Sequence, residues 1–584
     1  MKLNFSSIIR KDGECSYVLN AINNAFGGGS LEAISDTAGK SGSEVVIGDT
    51  AREITAKAKA ELECAIGEKA GELISGGIPE EDITGYLVYS DGESVALVWR
   101  DFQIAPKATS YLAENLASIG AKSGVIYSEF FSIMDFLTEH EKTVYDTKWA
   151  ELEAHIPEEY RADIIRELRL LNSLRTHESA KWLGSLYDPE TGGWYVSNSA
   201  RNTEGFGPDI ETTYLALTLV GITGMAEMFD GEDFVEKYMN AYPRDIVEKA
   251  GKWIHSLQDE DGYFYLPEWP KEFIERTGNQ IRITRDVGSA KTILDALGIT
   301  PKYSITQKTN GDDKKSTLLT QYESVENFRE YLAGWDKELE VIDDKERAWK
   351  FYLWGSYFQS TLHLMNDEMK QMMLEFFDRH QNPENGVWSK ELYYNSTNAI
   401  HKICSVYNRV GGRMKHVDKM IESTLKILNW DVETKPSGNS CEIYNVWSVF
   451  PYLYTNIRTC GEGAPEEREA RCNENKKLVF AGAAKAINTT YHQIKDMFMP
   501  GGEVRCFRHR SASMPHGSPT APGVLEGDIC GFLLGAYDVE NNALLALELG
   551  DYAPPLFTEK DRVVFMRAVR AAKPPIKRPN PNKQ

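Results

Sequence analysis

"YDPETGGWYVSNSARNTEGFGPDIETTYLAL" (Tyr187–Leu217) and "RHQNPENGVWSKELYYNSTNAIHKICSVYNRVG" (Arg379–Gly411) carry the same features in the same order. Each reads as the end of a helix, an acidic Pro/Gly turn closing on Gly-Gly-Trp or Gly-x-Trp, a polar stretch, and a second helix with small residues. Two weaker copies stand at "LQDEDGYFYLPEW" (Leu257–Trp269) and "FMPGGEVRCFRH" (Phe498–His509). The marker glycines are Gly192, Gly262, Gly386 and Gly501, separated by 70, 124 and 115 residues. These are roughly one, two and two repeats of about 60, a length that holds two helices and their connections. Long-range self-similarity of this kind governs the fold of the whole chain. Six repeats fill roughly residues 165 to 560.

The spacing predicts a mainly α protein, an (α/α)6-type toroid of helical hairpins, with a small N-terminal α/β domain. Four short stretches also resemble a known group. "QNPENGVW" (Gln381–Trp388) fits the Gln-x4-Gly-x-Trp repeat of terpenoid cyclases, and Asp188–Leu217 is similar to the repeat of protein prenyltransferase β subunits. The resemblance implies the toroid more strongly than any activity, and the same fold serves polysaccharide lyases and glycoside hydrolases. The plain alternative is a set of ordinary Asp/Pro/Gly turns between helices.

At 584 residues the chain exceeds one usual core. The boundaries read as 1–135 for a mixed α/β domain or cap, 136–570 for the toroid, and 571–584 for a disordered Pro-rich tail. With 42% hydrophobic and 26% charged residues the composition is that of a soluble globular protein. A formal charge of −22 disfavours a nucleic-acid partner. No run of 18 apolar residues and no signal-peptide core is present, so no membrane partner is expected. Eight cysteines without a framework spacing point to reduced thiols and a cytoplasmic location.

Within the N-terminal part, Gly85–Phe102 places two apolar runs around Asp91-Gly92, a hairpin signal, and Asp49–Ile74 has helical periodicity. The polar segment Lys302–Ser324 reads as a long surface loop, and Thr459–Lys477 as an excursion or a short helix.

In a toroid the polar stretch after each turn leads toward the central cavity, where function is sought first. Four constellations follow. Asp209 and Glu211, near Tyr214, are spaced to serve as acid and base or simply to cap a helix. Arg282 and Arg285, with Asp286, suit a substrate carboxylate, sulfate or phosphate, or an ion pair. Tyr394, Asn398, His401 and Ser405 share one helical face; His401 and Tyr394 are candidate proton-transfer groups and Asn398 a ligand for the substrate. The segment from Gly501 to Cys530 carries Arg505, Arg508, His509, Arg510, His516, Glu526 and Asp528, the makings of a binding loop. Trp194 and Trp388 are candidate stacking surfaces.

Two motifs are absent. Asp528-Ile529-Cys530 resembles the Asp-x-Cys zinc pair of protein prenyltransferases, but the histidine that pattern requires further along does not follow. No Asp-x-Asp-Asp acid of class II terpenoid cyclases exists. Neither a metal nor another cofactor is expected. The aromatic and polar mixture predicts an enzyme that cleaves an oligosaccharide or polysaccharide, an acidic one in particular, by lyase or hydrolase chemistry. The alternatives are a terpenoid cyclase or prenyltransferase-like enzyme and a non-catalytic toroid binding a ligand or protein. The oligomeric state is not legible.

Overall fold

The computed structural model describes residues 3–580 except 13, 28–30, 41, 230–238, 273–279, 305–319 and 510–524. It is mostly helical, with a small sheet near the N-terminus. The chain divides into two compact units, residues 1–146, 220–244 and 557–563, and residues 147–219, 245–556 and 564–584. The middle of the Lys302–Ser324 segment lies outside the described residues.

The first unit holds strands Phe5–Arg10 (β1), Glu32–Ser35 (β2), Ser43–Ile47 (β3), Ile83–Asp91 (β4), Val95–Trp99 (β5) and Ser123–Ser132 (β6), in the order β2-β1-β3-β5-β4-β6. β1, β2, β3 and β5 run parallel. The central strands "SEVVI" and "VALVW" are continuous apolar runs rather than alternating ones, as strands covered on both faces require. β4 and β5 form the antiparallel hairpin expected around Asp91-Gly92, with Gly92 at φ 93° and the Asp91 carboxylate accepting from the Glu93 and Ser94 amides. Helices Ser16–Phe26 (α1), Glu53–Ser75 (α2) and Ala105–Asn115 (α3) accompany the sheet. Ile54, Ala58, Leu62 and Ile66 of α2 recur every four residues and pack on Val46, Leu87, Ala96 and Val98.

The remaining helices are Ile133–His155 (α4), Glu158–Asn172 (α5), His177–Ser185 (α6), Ile210–Ile222 (α7), Arg244–Ser256 (α8), Gln280–Ala296 (α9), Val325–Leu339 (α10), Asp344–Thr361 (α11), Asp367–His380 (α12), Tyr394–Val410 (α13), Val417–Leu428 (α14), Ser440–Cys460 (α15) and Pro465–Ile494 (α16). Ile529–Gly531, the π-helical stretch Phe532–Asp538 and Val539–Ala546 then run on as one helix (α17), and Glu559–Ala571 (α18) follows. The Thr459–Lys477 segment enters α16, much longer than the short helix its composition allowed.

The repeated turns close in a like way, an amide donating to the carbonyl just past the turn glycine, five residues on in two turns and four in the other two. The Asp188 amide donates to Gly193 O and the Asn382 amide to Val387 O, each at 2.8 Å; Asp259 to Tyr263 O (2.9 Å) and Met499 to Glu503 O (2.8 Å) repeat it. Each turn has one glycine in the left-handed region: Gly192 (82°), Gly262 (84°), Gly386 (75°) and Gly502 (85°). The fourth marker is therefore Gly502 rather than Gly501, which has open space where a Cβ would stand. Gln381 and Gln258 lock their turns by donating to Gly386 O (2.8 Å) and Gly262 O (3.3 Å). This is the physical work of the Gln in Gln-x4-Gly-x-Trp: its amide satisfies a carbonyl the turn would leave unpaired.

The same glycines permit close helix contact. A Cβ on Gly192 would stand 2.6 Å from the Ala250 amide of α8, and one on Gly386 2.7 Å from the Met420 amide of α14. A Cβ on Gly502 would run into the backbone of Glu178 in α6. Helices α11, α13, α15 and α17 pack in succession. Behind α11, Trp354 stacks on Trp335 of α10 at 4.4 Å, and both meet Phe376 of α12. Residues 572–580, expected to be extended or disordered, form extended chain that pairs with 202–204 through Arg578. Among the described residues no helix is long and apolar enough to cross a membrane.

Candidate functional site

The structure brings the first two constellations together. Asp209 precedes α7 and caps it, accepting from the Thr212 amide at 2.8 Å. Arg282, buried on α9, donates to Asp209 (2.7 Å), Glu211 (3.2 Å) and Asp286 (Nε, 2.8 Å), while Arg285 Nε donates to Glu211 at 2.7 Å. Three carboxylates thus face two guanidiniums. Burial pushes Asp286 up to about 7 against the pull of Arg282. Neither Asp209 nor Glu211 stands apart from an arginine as an acid–base pair would. The cluster joins α7 to α9.

The α13 stripe is divided. Tyr394 donates to Lys435 O (3.3 Å), accepts from Gln493 (3.1 Å) and packs edge-on against Trp430. His401 Nδ1 meets Asn445 Oδ1 at 2.7 Å, which leaves Nε2 the acceptor nitrogen, and the ring lies beside Tyr444 and Tyr452. Burial depresses His401 to about 3, so the imidazole is neutral at physiological pH. Ser405 accepts from Gln359. Asn398 is 4% exposed, and its buried Oδ1 has no hydrogen-bond partner among the described residues.

The other expected ligand residues hold structure. Trp194 is wholly buried against Tyr187, and Trp388 is 2% exposed with Nε1 donating to Phe377 O at 2.9 Å. Both anchor their turns to the core, and neither leaves a face for stacking. Arg508 donates to Ser437 O and Gln493 O, while His509 is exposed at the surface. Glu526 accepts from the Ser199 amide at 2.9 Å, and Asp528 caps α17 through the Gly531 amide at 2.8 Å. Arg510 and His516 lie outside the described residues. Among those described, no group of three or more His, Cys, Asp or Glu is placed to hold a metal ion.

A different set of side chains converges instead. Asp538 closes the π-helical stretch of α17, a rare distortion that recurs at functional sites because it re-aims a side chain. No described residue bonds or neutralises its carboxyl, and burial alone raises it to about 7. Asp538 lies within electrostatic reach of the Tyr444 phenol on α15, which also reaches Cys441 and Tyr352 of α11. Lys402 of α13 makes no ion pair among the described residues. Burial lowers its pKa; the Cys441 thiol opposes that shift and the Arg285 guanidinium adds to it. Solvent still reaches Asp538, Tyr444, Cys441, Lys402, Tyr352 and Arg285 in part. These side chains come from α9, α11, α13, α15 and α17 of one unit.

The chain matches no protein-family model, no curated protein and no solved structure.

The converging set was half legible. Lys402 stands eight residues after Tyr394, on the face that drew attention to Asn398, and Tyr444 is one of the aromatics beside a polar segment. Asp538 carried no signal: "LLGAYDVENN" (Leu533–Asn542) reads as an ordinary amphipathic helix, and only packing isolates its acid.

Proposed function

We propose that the helical unit closes into an α/α toroid and that its interior cleaves an acidic oligosaccharide by β-elimination. Ring closure is supported by the glycine contacts: Gly192 and Gly386 pack on the helix that follows their own repeat, while Gly502, in the last repeat, packs on α6 of the first. The Ile529 amide also donates to Val196 O at 3.0 Å, joining the start of α17 to the first polar stretch.

The observation that carries the chemistry is Asp538, a partly accessible carboxyl raised to about 7 by burial and without a bonding partner among the described residues. A group with that pKa exchanges its proton readily at neutral pH and can act as base and then acid. Lys402 supplies positive charge on α13, where a uronate carboxylate would be neutralised. Neutralisation acidifies the adjacent C–H. The Asp538 carboxylate takes that proton, the electron pair becomes a C=C bond as the glycosidic C–O bond breaks, and Asp538 returns the proton to the departing oxygen. Hydrolysis needs a second carboxylate opposite the acid. The nearby described carboxylates are engaged: Glu211 by arginines, Glu442 by the Ser437–Asn439 turn, Glu540 by Arg175.

A terpenoid cyclase reading draws support from the same acid among tyrosines, but Lys402 would repel a carbocation. Incubation with uronate-containing oligosaccharides tests the proposal. A product absorbing in the ultraviolet, lost in Asp538→Asn and reduced at least tenfold in Lys402→Ala, is expected. Saturated products indicate hydrolysis. Turnover of an isoprenoid substrate with no action on any glycan overturns the reading.

A further inference from the structure

The face of α11 opposite its aromatic core is unusual. Phe351, Trp354 and Phe358 are buried, whereas Trp349 is 41% and Leu353 38% exposed, on a helix whose neighbour α13 bears Lys402. Large apolar side chains left open to water lose the stabilisation that burial would supply, on the order of 2 kcal/mol each. Trp349 and Tyr352 lie one turn apart with ring centroids 5.3 Å apart and planes at 51°. Tyr352 is within reach of Tyr444, and Tyr444 of Asp538. An aromatic surface therefore leads from Trp349 of α11 toward the acid, with Lys402 on the neighbouring helix α13.

We propose that Trp349 and Tyr352 form a stacking subsite for a sugar ring at least one residue removed from the bond being cleaved, so that the site takes an oligosaccharide of three or more units. This rests on the acidic-glycan reading above. The apolar C–H face of a pyranose matches an indole and a phenol, and the hydroxyls at its rim remain free for polar neighbours. Charge complementarity fixes the occupant as an acidic glycan rather than an apolar peptide, because Lys402, which makes no ion pair among the described residues, stands on the helix packed against α11.

Titration calorimetry on the full chain tests this. The Asp538→Asn chain, which binds without cleaving, is titrated with uronate di-, tetra- and hexasaccharides. Trp349→Ala is expected to weaken tetra- and hexasaccharide binding about tenfold. The disaccharide should be unaffected, and Trp349→Phe should stay within about twofold because a ring is retained. Equal affinity of Trp349→Ala for all lengths overturns the subsite while leaving the glycan reading intact. Failure of every acidic oligosaccharide to bind the Asp538→Asn chain overturns both.

Discussion

Gly502 lies directly on the backbone of Glu178, from opposite ends of the helical unit, and no side chain fits between them. At φ 85° the position also requires the left-handed conformation that L side chains rarely adopt.

Gly502→Ala is expected to cost about 1–3 kcal/mol from backbone strain alone, more with the clash. Gly501→Ala, with open space at its Cβ, should change stability by less than about 0.5 kcal/mol. Urea unfolding of the two variants checks this, and equal midpoints would show that the turn does not bear on Glu178.

Asp538 sets stability against activity. Its folded value of about 7 lies above the roughly 3.9 of an unfolded aspartate. Below about pH 4 both states carry the proton and the group contributes no difference. From there to about 7 the unfolded chain ionises first, so folding weakens as pH rises. Asp538→Asn should therefore be inactive yet more stable than the unsubstituted chain at pH 8, and equally stable near pH 4. A variant less stable at pH 8 contradicts the isolated carboxyl.

His401 has the opposite sign. Its folded value of about 3 lies below the roughly 6.5 of the unfolded chain, so its contribution is complete above about pH 6.5 and is lost as pH falls toward 3. His401→Gln should flatten the stability profile between about pH 6.5 and 4. Carbon chemical shifts should show a neutral His401 imidazole from pH 8 down to about 5; titration near 6.5 would refute the burial argument.

Arg282 holds three buried carboxylates. Arg282→Met should cost about 3–5 kcal/mol, since it leaves buried charge unpaired. Arg282→Lys should not restore it, because one ammonium lacks the fork that reaches all three. Asp286→Asn, which mimics the protonated form, should cost less than about 1.5 kcal/mol. Thermal unfolding of the three variants ranks them, and comparable loss in all would show that Asp286 is charged.

Sequence spacing alone carried the helical character, three of the four turn glycines and the hairpin around Asp91, because these depend on local backbone conformation and on residues a few positions apart. Glycine in the left-handed region and the reach of a glutamine to a carbonyl five residues on are written in neighbouring residues. The site was read less well. Asp209 and Arg282 looked chemically poised, and Trp194 and Trp388 looked like ligand surfaces, because a sequence shows side-chain chemistry but not what neutralises or buries it. Pairing across α7 and α9 turned the first two into a structural ion cluster, and core contacts enclosed both tryptophans. Conversely Asp538, Lys402 and Trp349 belong to separate helices of unremarkable composition. Only tertiary packing set Asp538 and Lys402 within reach of Tyr444 and Cys441 on α15 and left Trp349 open, since desolvation and pairing depend on residues distant in the chain.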